Sequence, residues 1–127
     1  MWVVSVPISV MVTKKKAFSL NLNQYRNANH FTLDKAKKEF ADQVKSKLDN
    51  IPSLDKIRIS YILYPKSQQL CDVSNICSIV DKFFSDCLTT KGIIPDDNYN
   101  HVKMVAYGFG EVDKLNPRCE VIIESIA

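Results

Sequence analysis

The chain has 127 residues, 46% hydrophobic and 24% charged, with a formal net charge of +3. Those values suit one soluble domain with its own core, and they exclude a disordered tail and a strongly basic DNA-coating protein. The charge is unevenly placed: residues 1–66 carry 12 Lys/Arg against 5 Asp/Glu, whereas residues 67–127 carry 5 against 9. A basic half joined to an acidic half fits a protein that grips a polyanion with one part and holds a cation with the other. Charges that segregate on a solvated surface are the plainer reading. The four cysteines (Cys71, Cys77, Cys87, Cys119) form no CxxC pair, which argues against structural zinc and for reduced thiols in a cytoplasmic setting.

In chain order, Trp2 to Val12 is β-branched and partly alternating, the pattern of a strand, with Pro7 marking an edge or a bulge. The run is too short to cross a bilayer and has no basic segment before it, so neither a membrane span nor a signal peptide is expected. Lys14, Lys15 and Lys16 form a turn into a second extended piece, Ala17 to Leu22. Asn23 to His30 reads as a loop of turn formers, although Tyr25 and Arg26 are of the types that bond phosphate. Thr32 is the expected N-cap of a helix to about Leu48, with Leu33, Ala36, Phe40, Val44 and Leu48 on its buried stripe.

Lys56 to Tyr64 alternates as a strand, with Ile57, Ile59, Tyr61 and Leu63 on one side. A second helix starts near Ser74 or Asn75 and buries Ile76, Ile79, Val80, Phe83, Phe84, Cys87 and Leu88. Asn75, Lys82 and Asp86 fall on one flank of it, with Ser78 nearby. His101 to Phe109 and Arg118 to Ile126 read as strands. The order β-β-α-β-α-β-β predicts a single α+β domain over residues 1–127, a small mixed sheet with two main helices packed on it.

Three aspartates bracket the second helix: Asp72 before it, Asp96 and Asp97 after it. A magnesium-type cation takes oxygen ligands from a few carboxylates and can activate water against a phosphodiester. A nearby lysine would offset charge on the phosphate. Each residue also has an ordinary reading: Asp72 as a cap, Asp96–Asp97 as a turn, Lys82 and Asp86 as an exposed ion pair.

The run Asp72-x-x-Asn75, Lys82-x-x-x-Asp86-Cys-Leu88 and Gly92-x-x-x-Asp96-Asp97 resembles the signature of the RusA-type Holliday junction resolvases. Asn23-x-Tyr-Arg26 resembles the family's N-terminal segment. The resemblance implies a RusA-like fold and a homodimeric, Mg²⁺-dependent endonuclease (Mn²⁺ substituting) that cuts branched DNA such as four-way junctions in recombination and repair. Such proteins come mostly from bacteriophages and prophages and would work in the bacterial cytoplasm. It further implies Asp72, Asp97 and Lys82 as catalytic residues, with Asp72, Asp97 and Asp96 on the metal. DNA contacts would come from Lys66, Arg26, Tyr25, Lys82, Asn75 and the lysines of the first helix. Ser74 stands where the family has a second aspartate, Lys66 is the one charge left of a basic run, and the spacing from Asn75 to Lys82 is four residues longer than usual. Four residues are about one helical turn, so Lys82 keeps its face but moves about 6 Å along the axis. Ser78 is the alternative match for the lysine, and Asp96 or Asp81 could compensate for Ser74. These departures support an alternative: a RusA-fold protein that binds DNA or a host protein without cutting.

Overall fold

A computed structural model describes residues 1–69 and 71–126. The chain begins with β1 (Trp2–Val6), which turns Val4 and Val6 inward. The expected strand does not continue to Val12. Pro7 cannot donate to a ladder, so the chain breaks there. Residues Ser9–Met11 (β2) leave the main sheet and pair antiparallel with Ala17–Ser19 (β3), Val10 opposite Phe18. The lysine turn closes this hairpin, with the Lys16 carbonyl accepting from Val12 N at 2.9 Å and Thr13 Oγ1 from Lys16 N at 3.0 Å.

Asn23 to His30 is not a loop. Leu22–Asn27 forms a short helix, α1, because Asn21 caps it by accepting from Gln24 N at 2.8 Å. The next helix, α2 (His30–Val44), starts two residues before Thr32. Its N-cap is Asn29, whose Oδ1 accepts from Thr32 N at 2.9 Å, so Thr32 supplies a donor to the cap instead of forming it. The expected last turn tightens into a 3₁₀ turn, Lys45–Leu48. Ala36, Phe40, Val44 and Leu48 are buried as their spacing predicts, and Leu33 is half-buried.

The remaining elements are β4 (Ile57–Tyr64), α3 (Val73–Thr90), β5 (Val102–Phe109) and β6 (Arg118–Ser125). The main sheet has the order β1-β6-β4-β5; β4 and β5 are parallel and the other pairs antiparallel. A mixed four-stranded sheet, a two-stranded one and two main helices make this a small α+β fold. Ile57, Ile59, Tyr61 and Leu63 face the helices together with Cys119, Val121 and Ile123. The aromatic centre is Phe83, stacked on Phe18 at 6.3 Å and edge-on to Phe40 at 5.6 Å. It ties the hairpin, α2 and α3 to one another.

The path of α3 positions everything that follows. Its amino end lies near the carboxyl end of β4, where Cys77 Sγ sits 3.9 Å from the Tyr61 carbonyl. Its carboxyl end lies near the start of β4, where Ile93 O accepts from Leu54 N at 2.6 Å. The helix therefore runs antiparallel to both parallel strands.

Candidate nucleic-acid interface and carboxylates

Asp72 occupies the N-cap position of α3, with extended backbone and a side chain that makes no capping hydrogen bond. Only its carbonyl is used, accepting from Asn75 N at 3.0 Å. Among the described residues the carboxylate has no hydrogen-bond partner, and it is exposed, unlike the plain cap that its position suggested. Asn75 is a structural link, since its Oδ1 accepts from Leu22 N at 3.1 Å and fastens the first turn of α1 to α3. That junction brings Tyr25 against α3, where the Lys82 ammonium sits 5.9 Å from the ring centroid. Lys82 and Asp86 form no ion pair among the described residues. Between Asn75 and Lys82, Ser78 Oγ is buried with no hydrogen-bond partner among the described residues.

The structure therefore gathers Tyr25, Asn75 and Lys82 on one flank, with exposed Arg26 in the last turn of α1 and Asp72 at the head of α3. Lys66 lies exposed in the connection that leaves β4 toward this same end. A cluster of cationic, phenolic and amide groups over a short helix junction can hold a phosphodiester backbone.

Asp96 and Asp97 lie at the opposite end. They follow α3, and eighteen residues of helix separate the two ends by roughly 27 Å. A magnesium ion needs its ligands within about 2.1 Å, so Asp72 and Asp97 of one chain cannot share one. Ser74, exposed beside Asp72, offers a hydroxyl and no charge. Asp81 does not compensate, because it accepts from Tyr61 OH at 2.8 Å, Tyr107 OH at 3.0 Å and Ser85 Oγ at 3.0 Å. Among the described residues no three His, Cys, Asp or Glu side chains converge as ligands. The residues of a single chain do not fit the expected metal.

Asp96 and Asp97 are nevertheless a concentrated negative pair. Asp96 Oδ1 accepts from Asp97 N at 2.7 Å and its Oδ2 from Asn98 Nδ2 at 3.2 Å. Desolvation, followed by the hydrogen bond and charge of Asp96 and the field of Asp86, raises the Asp97 pKa.

Two features escaped the sequence reading. One is the Asp81 hydroxyl cluster, whose partners come from β4, β5 and α3 and so leave no local signal. The other is a cleft of about 480 Å³ between α2 and α3, floored by Ala41, Leu48, Phe83 and Cys87 and rimmed by Lys37, Lys38, Lys45 and Lys91. Lys45 pairs with Asp42 at 3.6 Å and Lys91 is held by Asp49.

No helix among the described residues is long and apolar enough to cross a membrane. Neither a protein-family model nor a curated protein matches the chain. The resemblance to the RusA-type resolvases rests on its residues alone.

Proposed function

We propose that this protein acts on branched DNA as a structure-selective endonuclease of the RusA kind. The phosphodiester backbone would be held at the junction of α1 with α3. The observation that carries the reading is the packing of α1 on α3, with the Lys82 ammonium over the Tyr25 ring and Asn75 bonded to Leu22 N, along a helix headed by the exposed Asp72. Tyr25 orients Lys82, Asn75 holds α1 in place, and Arg26 and Lys66 extend the cationic surface toward the flanking backbone. One chain does not bring the carboxylates together, so no single-chain metal site carries the hydrolytic step.

The second reading, binding without cutting, is favoured by Ser74 and by that separation of the carboxylates. A labelled four-way junction distinguishes the two. Paired symmetric cuts with Mg²⁺ or Mn²⁺, abolished in Asp97→Asn while binding persists, support the endonuclease. Salt-sensitive binding without any cut supports the second reading, and no binding by either protein overturns both.

A further inference from the structure

The cleft between α2 and α3 is hollow because small side chains line it. Ala41 on α2 and Cys87 on α3 carry only a methyl and a thiol, and they border the buried Phe83 and Leu48. A space of about 480 Å³ is left unfilled. Phe83, Asp86, Cys87 and Thr90 recur at spacings of three and four, so one face of α3 forms this wall. Lys82 leaves the helix about 100° away from Phe83, toward Tyr25, so the cleft is separate from the flank that meets α1.

The cleft has two unlike ends. Phe40 meets Phe83 edge-on at 5.6 Å and Asp49 holds Lys91, so α2 and α3 run in the same direction. Where the helices finish, the cations are already paired, Lys91 with Asp49 and Lys45 with Asp42 at 3.6 Å. At the other end, Lys37 and Lys38 make no ion pair among the described residues. Asp86, exposed on the rim between the ends, repels an anion from the middle. Burial, followed by the charge of Asp86, pushes the Cys87 thiol up to about 11, so at neutral pH it remains an uncharged part of the floor.

We infer that this cleft binds a small apolar carboxylate, its chain lying on Ala41, Leu48, Phe83 and Cys87 and its head between Lys37 and Lys38. Covering the floor removes apolar surface from water, and the two ammonium groups replace part of the hydration of the head. The volume is that of a small-molecule pocket. The hollow extends along Lys37 to Lys45 on α2 and Phe83 to Lys91 on α3, about 12 Å of helix. A stable protein interface covers roughly 800 Å² on each side, more than such a hollow offers. A phosphodiester backbone has no chain to fill the floor, and that sets this ligand apart from the polyanion of the α1 flank.

Decanoate is the probe, and no DNA activity enters the test. Titration calorimetry is expected to show one saturable site with a negative heat-capacity change. Acetate, which has the head without the chain, and decylammonium, which reverses the head's charge, should show no saturable binding. Lys37→Glu/Lys38→Glu reverses two rim charges away from the core and should weaken decanoate binding roughly tenfold. Ala41→Phe fills the floor and should abolish binding with an unchanged circular dichroism spectrum; the lysine variant carries the test if that one fails to fold. In a Cys71→Ser background, which removes the exposed thiol, saturating decanoate should slow alkylation of Cys87 by N-ethylmaleimide, read by mass spectrometry. Absence of decanoate binding, equal binding of acetate or decylammonium, full affinity in the lysine variant, or Cys87 alkylation that decanoate leaves unchanged would each overturn the site.

Discussion

Asp81 illustrates how one side chain can be committed to the interior. Three hydroxyls from β4, β5 and α3 donate to it, and burial together with its charge pushes the Tyr61 phenol well above its ordinary pKa. Asp81→Ala strands the buried Tyr61 hydroxyl and should cost about 1–3 kcal/mol in urea unfolding. Asp81→Asn retains an acceptor and should cost less. At Asp97 the sign follows from its raised pKa. The folded state holds that proton more tightly than the unfolded one, so the contribution favours folding in acid and is lost as pH rises through the folded pKa. Asp96→Asn removes the neighbouring charge and should raise Tm slightly at neutral pH. It should leave Tm unchanged in acid, where both carboxyls are protonated, as melts at the two pH values would show.

At the scale of elements, α3 determines most of the architecture. Phe83 joins it to Phe18 of the hairpin and Phe40 of α2; Phe83→Ala should cost about 3–5 kcal/mol, measurable by denaturant titration. The turn after α3 depends on Gly92, whose φ of +78° suits glycine. Gly92→Ala should destabilise by roughly 1 kcal/mol through backbone strain alone, since a Cβ there would meet nothing within 4 Å. The strands and main helices were legible because their burial follows periods of 2 and 3.6, as in Ile57, Ile59, Tyr61 and Leu63. The helix α1 was not, because asparagine signals both loops and caps, and only the fold shows Asn21 and Asn29 acting as caps. The flank of Asn75 and Lys82 was readable from helical spacing. The separation of Asp72 from Asp97 was implicit in eighteen helical residues, yet a motif aligned along a sequence carries no direction of travel. Tyr25 against Lys82 is a contact between residues far apart in the chain, beyond any local pattern.

At the scale of the molecule, charge divides along the chain, and on the function proposed above the flank of α1 and α3 carrying Arg26 and Lys82 would bind the polyanion. Binding of a four-way junction is expected to weaken steeply between low and physiological salt, with a linear log–log slope. Lys82→Ala should weaken it at all salts and make that slope shallower by about one. A fluorescence anisotropy series checks both statements.

The position of β6 has a consequence for how the protein is made. This strand, residues 118–125, is inserted between β1 and β4, so until it arrives β1 has no strand partner and β4 has only β5. A ribosome must hold the first strand waiting while about a hundred further residues are translated, and the closure is correspondingly non-local and slow. Until then Val4, Val6 and the free edge of β4 lie open to solvent or to a chaperone. A nascent chain stalled before residue 118 should be cut readily by protease, and one that has cleared the exit tunnel beyond residue 125 should resist.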